Sequence, residues 1–215
     1  SSPMSLELNF NDAGLNKPPL FQVDSLNGRV TYSGDVWAMD NLVMRGTHSD
    51  CTINAKLQGK QWQAKVEGDK LDLNTVMAIY GASQMMAETP KTAGTTPTTS
   101  SAAPLAYEGE GTVAVKEIYL RRGVVHNAST RIQTTGNEIR FNDIQCRLGN
   151  GGITGSILLR TAQSGQKDIT LNLKADQADM SVLDAMIYDE TQEVSGTMSG
   201  HADLQFPLGP GLFNG

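Results

Sequence analysis

The sequence is poor in the residues from which most catalytic and ligand sites are built. It holds two cysteines, Cys51 and Cys146, at non-equivalent positions of the repeat described below. They read first as small buried apolar side chains, with a disulfide between repeats as the alternative. Lysine and arginine total 17 against 23 acidic residues, giving a net charge of −6, and only Arg121 and Arg122 are adjacent. No basic stripe is present to neutralise phosphates, which excludes nucleic acid as a partner, and no polybasic patch is present for a membrane surface. No apolar run approaches the roughly 18 residues of a membrane span, and no signal peptide is visible. Hydrophobic residues at 39% and aromatics at 6% fall below what a compact α/β enzyme of this length carries.

The usual chemical motifs are missing as well. His48, His126 and His201 are isolated, and none is spaced with cysteine or carboxylate as a metal site requires. There is no G-x-S-x-G elbow, and the glycines of Gly149 to Gly155 have no P-loop lysine beside them. Asp12, Asp24, Asp35 and Asp40 sit at predicted turns, the usual place for aspartate. Two carboxylates drawn from distant strands, as in a β-fold glycosidase, are the remaining enzymatic option. No cofactor or metal is expected.

What the chain does have is one long pattern written twice. Residues 21–57 and 123–159 superpose at a shift of 102, placing Gly34 on Gly136, Val30 on Ile132, Trp37 on Ile139 and Met39 on Phe141. Leu42 falls on Ile144, Met44 on Cys146, Thr52 on Thr154 and Leu57 on Leu159. The likeness resumes at 70–80 and 178–188, so the second copy carries about five extra residues in between. This predicts a first unit at 1–87, a disordered Thr/Ser/Pro/Ala-rich linker at 88–105, and a second unit at 106–193. A third opening follows at 194–215, where Gly196–Thr197 echoes Gly111–Thr112. SSPMS at the start and the third unit barely begun read as a piece of a longer chain.

Within each unit the apolar residues alternate, which predicts strands with one wet face. Leu6, Leu8 and Phe10 open the chain, and 11–19 reads as a turn-rich break. A loop at Ser33–Gly34 would place Val30 opposite Trp37 and Gly28 opposite Met39. The matching loop at Thr135–Gly136 would place Ile132 opposite Ile139 and Thr130 opposite Phe141. The apolar phase then slips by one, which predicts bulges at Asp40–Asn41 and Asn142–Asp143. A loop at Gly59–Lys60 sets Leu57 against Trp62, Ala55 against Ala64 and Ile53 against Val66. In the second copy Ile157 meets Leu171 and Leu159 meets Ile169 across a longer loop centred on Ser164–Gly165. Each unit ends in a short helix, at 74–86 with Asn74 as N-cap and at 181–188 with Ser181 in that role. Met85 and Met86 read as packing.

The order of these features resembles the AsmA-like family of Gram-negative envelope proteins. A glycine-led opening strand (Gly111 to Val115) precedes a glycine-marked hairpin (Gly136) and an l-x-l-x-x-l strand (Ile139 to Ile144). A paired-glycine turn with a small-residue strand (Gly149 to Ile157), an acidic helix start (Ala178 to Leu183) and a new opening (Gly196, Gly200) complete the cycle. The likeness runs from about residue 20 onward. It departs at LGNGG (Leu148 to Gly152), where many members carry an aromatic before the glycines.

The resemblance implies a mainly β fold, a long twisted antiparallel sheet curled into a taco-like trough with an apolar lining. It further implies a periplasmic protein held in the inner membrane by an N-terminal helix outside these residues, conducting phospholipids towards the outer membrane. Its partners would be phospholipid acyl chains, with inner- and outer-membrane envelope proteins at the ends of the full-length chain. The candidate lining in the first unit is Val30, Trp37, Met39, Ile53, Leu57, Trp62 and Val66. In the second it is Ile132, Ile139, Phe141, Ile157, Leu159, Ile169 and Leu171. From the residues alone a closed core is the favoured reading of these fourteen, and the resemblance brings the open trough level with it. The alternative function is a non-enzymatic β-scaffold that binds protein partners in the envelope, as an assembly factor or stalk.

Overall fold

The computed structural model describes residues 5–17, 21–74, 76, 107–162, 166–187 and 194–208. They form one open sheet of eleven strands in strict chain order. The first five are β1 (Ser5–Lys17), β2 (Phe21–Ser33), β3 (Val36–Gly46), β4 (Ser49–Gln58) and β5 (Gln61–Asp72). Then come β6 (Glu108–Leu120), β7 (Gly123–Thr135), β8 (Glu138–Leu148), β9 (Gly151–Thr161) and β10 (Lys167–Asp179). A helix, α1 (Met180–Ile187), leads to β11 (Thr197–Leu208). β1 and β11 are the two edges, so the sheet curls without closing into a barrel. The expected mainly β trough is the fold observed.

Every neighbouring pair is antiparallel except one. β5 and β6 run parallel, with Trp62 opposite Gly109 and Val66 opposite Val113. Each unit has five strands, an odd number, so its first and last strands point the same way. The parallel joint therefore gives both units the same orientation, with their helix starts at one end of the sheet. β11 runs antiparallel to β10.

The hairpin at Gly59–Lys60 has the expected register, with Leu57 facing Trp62, Ala55 facing Ala64 and Ile53 facing Val66. So do β9 and β10, with Ile157 facing Leu171 and Leu159 facing Ile169. The loop centre at Ser164–Gly165 lies outside the described residues. Two other hairpins correct the expectation. The loops are Gly34–Asp35 and Gly136–Asn137, so Val30 faces Met39 and Trp37 faces Tyr32. Likewise Ile132 faces Phe141 and Ile139 faces Thr134. Gly34 (φ 66°), Gly59 (φ 57°) and Gly136 (φ 58°) all take the first loop position, where a type II′ turn needs positive φ. The glycine thus belongs first in these loops, not second, which moves each pairing by one residue per strand.

The two predicted bulges are present. Registers break between Met39 and Leu42 and between Phe141 and Ile144, with Asn41 at φ 49° and Asp143 at φ 54°. Of the break expected at 11–19, residues 11–17 instead continue β1 through a third bulge, where Asp12 has φ 51°; Pro18 and Pro19 lie outside the described residues. A bulge leaves a backbone N–H without its ladder partner. Side chains on the next strand accept it here: Asp12 N–H donates to Asn27 Oδ1 (3.0 Å), Asn41 N–H to Asn54 Oδ1 (2.9 Å), and Gln177 N–H to Ser199 Oγ (2.8 Å). Asn tolerates the left-handed region, whereas a β-branched residue does not. Asn41→Val is expected to cost about 1–3 kcal/mol and Asn41→Gly close to nothing, read from the urea midpoint of each variant.

The helix caps also correct the expectation. Asp179, not Ser181, caps α1: its Oδ1 accepts the Ser181 N–H (2.9 Å) and hydroxyl (2.7 Å). These bonds hold its carboxyl below the usual range. In the first unit Asp72 Oδ1 accepts the Asn74 N–H (2.9 Å), and the helical turn begins at Leu73. Aspartate two residues earlier serves better because its full charge meets the helix N-terminus. The remainder of the 74–86 helix, Met85, Met86 and the 88–105 linker lie outside the described residues.

The buried core gathers at the helix end of the sheet, in two clusters. Val23, Met44, Cys51, Leu71 and Val115 form one. Val125, Leu148, Ala175 and Ala178 form the other, covered by Val182, Leu183 and Met186 of α1. α1 thus closes one end of the second unit's apolar face and Leu73 packs at the same end of the first, while among the described residues no helix covers the hairpin end.

Candidate functional site: an apolar strip across eleven strands

The cross-strand registers align the apolar residues of the open end into rows perpendicular to the strands. One row reads Leu8, Val30, Met39, Ala55, Ala64, Gly111, Ile132, Phe141, Ile157, Leu171 and Leu204, one residue from every strand. It contains no side chain that forms hydrogen bonds. The neighbouring row, nearer the hairpins, runs Leu6, Tyr32, Trp37, Leu57, Trp62, Gly109, Thr134, Ile139, Leu159, Ile169 and Phe206. Ten interstrand spacings make this strip roughly 50 Å long.

Two polar groups within the strip satisfy each other. The Trp62 indole reaches across β6, where Gly109 and Gly111 leave room, and its Nε1–H donates to Thr134 Oγ1 at 2.6 Å. A Cβ on Gly111 would stand 2.9 Å from the Trp62 ring, so glycine is what allows the indole to lie there. Trp37 packs against Tyr32 with ring centroids 4.7 Å apart.

The fourteen expected lining residues are all on this face. Trp37 is 44% exposed, Ile139 39% and Met39 38%. The other eleven are half-buried, and none belongs to the fully buried set. Two of them, Ile53 and Val66, lie beyond the two rows and pack against the first core cluster. Exposed apolar side chains continue the strip onto both edges, as Leu6 and Leu8 on β1 and Leu204 on β11. So many exposed large apolar groups in one band mark a surface that something apolar covers.

A hollow of about 540 Å³ sits in the strip, walled by Val30, Trp37, Met39, Leu57, Trp62 and Tyr107 and floored by Ala55 and Ala64. Sequence reasoning missed the floor and Tyr107. Alanine alternates with larger residues in β4 and β5 and so reads as ordinary filling. The sequence sets Ala55 against Ala64, but only the parallel register of β5 and β6 shows that Gly111 continues this run of small residues.

The opposite face is polar and holds a larger hollow of about 690 Å³, whose walls include Asp40, Lys56, Lys65, Glu110 and Arg131. Its charges are mixed in sign. Cross-strand neighbours on this face alternate in charge: Arg45 faces Asp50, Asp50 faces Lys70, and Lys70 faces Glu117. Glu138 lies between Arg140 and Arg160, and their hydrogen bonds, Arg160's first, hold its carboxyl below the usual range.

Among the described residues no group of three or more His, Cys, Asp or Glu could hold a metal ion. Both cysteines are free. Burial, with the Asp50 charge adding to it, pushes the Cys51 thiol up to about 11, which removes it as a nucleophile at neutral pH. Burial also raises Cys146. His48 stacks on Tyr119, with ring centroids 4.4 Å apart. Among the described residues no helix is long and apolar enough to cross a membrane. No family model, no curated protein and no solved structure matches the chain.

Proposed function

We propose that this chain is part of a conduit for phospholipids in the Gram-negative envelope, of the AsmA-like kind. The observation that carries the reading is the unbroken row from Leu8 to Leu204. A sheet face that is apolar on every strand must be covered by another layer or by hydrocarbon. α1 and the turn at Leu73 cover only one end of it. Acyl chains need no hydrogen bonds, and the row from Leu8 to Leu204 offers none; in the neighbouring row Trp62 and Thr134 already bond to each other. Lipid tails would therefore be held by buried area alone and could slide along the strip, with no covalent step and no cofactor. The headgroup would travel at the hairpin end, in water.

In this reading the chain works in the periplasm within a longer protein anchored in the inner membrane. Phospholipid passes towards the outer membrane, with envelope proteins at the two ends. The test is lipid extraction from the protein purified after bacterial expression, followed by mass spectrometry. Phospholipid is expected at one or more molecules per chain. A protein that purifies bare and takes up no fluorescent phospholipid from vesicles, or one that retains only protein partners, overturns the reading.

A further inference from the structure

Aromatic side chains are scarce in this chain, yet both of its tryptophans stand at one hollow. Trp37, Trp62 and Tyr107 wall the cavity of about 540 Å³ in the apolar strip, over the floor of Ala55 and Ala64. Tyr32 packs behind Trp37, with the two ring planes inclined at 35°. The Trp62 indole is fixed by its bond to Thr134. Both indole walls are thus held in place by the protein itself, which lowers the ordering cost of binding between them.

The second unit writes the same two hairpins differently. At the repeat shift Ile139 stands for Trp37, Thr134 for Tyr32 and Ile157 for Ala55. In the last hairpin of the first unit Leu57 faces Trp62 and Ala55 faces Ala64. In that of the second, Leu159 faces Ile169 and Ile157 faces Leu171. The first unit therefore has rings where its copy has smaller side chains, and alanines where its copy has large residues. Raised flat walls over a lowered floor add nothing for flexible hydrocarbon, whose burial depends on apolar area alone.

The polar groups around the hollow narrow its occupant. Among the described residues the Trp37 Nε1–H and the Tyr107 hydroxyl have no protein partner, and these side chains are 44% and 37% exposed. Both are free to donate a hydrogen bond. Lys56 borders the hollow, but it pairs with Gln63 in the ladder and strand alternation directs its side chain to the polar face. No carboxylate lines the hollow either, so a charged ligand would find no counter-charge there.

We infer that the hollow is a binding site for a flat, uncharged ring compound with a carbonyl acceptor at one edge. The rings lie against Trp37 and Trp62 over the alanine floor, and the carbonyl accepts from Trp37 Nε1–H or the Tyr107 hydroxyl. The inference is independent of phospholipid as the cargo of the strip.

Titration with methyl naphthyl ketone tests it, followed by calorimetry and by the emission of the two tryptophans, which both report on the hollow. Saturable binding of one molecule per chain is expected. Methyl decyl ketone carries the same number of carbons and the same carbonyl on a flexible chain, and it should bind about threefold more weakly or worse. Ethylnaphthalene, which lacks the acceptor, should lose a similar factor. Trp37→Leu removes one wall and one donor and should weaken methyl naphthyl ketone about tenfold. Ala55→Ile with Ala64→Leu, the side chains of the second unit, fills the floor and should abolish saturable binding. Circular dichroism separates loss of the site from loss of fold, and Trp37→Leu, at an exposed position, carries the test if the floor pair does not fold. A native chain without saturable binding overturns the inference. So does tighter binding of methyl decyl ketone than of methyl naphthyl ketone, or a folded variant that binds as the native chain does.

Discussion

Gly151→Val is expected to unfold the second unit or to lower its stability by about 3 kcal/mol or more, which for a chain of this size moves the melting temperature by about 10 °C. Gly151 is fully buried where β9 passes β10 at the Gln177 bulge. A Cβ placed there would lie on the Gln177 carbonyl and against Ala178 N. These are backbone atoms, so no side chain can swing away to make room. Thermal unfolding followed by circular dichroism is the measurement. A variant that melts with the native protein would show that the bulge does not hold β9 and β10 this close. Leu148→Ala, at a position 2% exposed in the same cluster, provides the scale, with an expected cost of about 2–5 kcal/mol from the cavity it leaves.

The second large effect should appear in binding with the fold intact. Trp37→Glu and Ile139→Glu replace residues that are already 44% and 39% exposed, so each should change stability by about 1 kcal/mol or less. A carboxylate in the strip, however, would have to lose its water whenever a hydrocarbon chain covered it, and no cation stands in either row to pair with it. Crosslinking of either variant to phospholipid with a photoactivatable acyl chain should fall at least tenfold, while the sheet melts almost normally. If crosslinking survives in both variants, the strip is not the path of the tails. If the fold collapses instead, these side chains are core and the trough is closed.

The sequence yields the sheet readily because alternation and bulges leave local marks. The one-residue phase slips after Met39 and Phe141 have no other physical origin than an extra residue, and both bulges lie there. Pairings that depend on a turn were legible only where the turn chemistry was read in the right order. Gly59 was placed first in its loop and its hairpin register follows. Reading Gly34 and Gly136 as second in their loops displaces every partner in those two hairpins. The caps shifted for a similar reason, since Asp72 stands beside Asn74 and Asp179 beside Ser181, and several adjacent residues can each accept an amide. The parallel joint left no local mark at all. Nothing in β5 or β6 distinguishes a parallel neighbour from an antiparallel one, because the connecting segment sets the direction. The hollow over Ala55 and Ala64, walled from β2 to β5, is likewise a property of several strands together.

That joint has a consequence for how far such an array can be lengthened. With an odd number of strands in a unit, parity decides orientation: a tight hairpin between units would turn the next one upside down. Its helix would then crowd the hairpin side, and its wet margin would meet its neighbour's dry one. Returning the chain between Asp72 and Glu108 along the full length of the strands, about 40 Å, prevents this inversion. Modules linked in that way can be added indefinitely with their greasy sides collinear, like tiles laid with one edge always to the same wall.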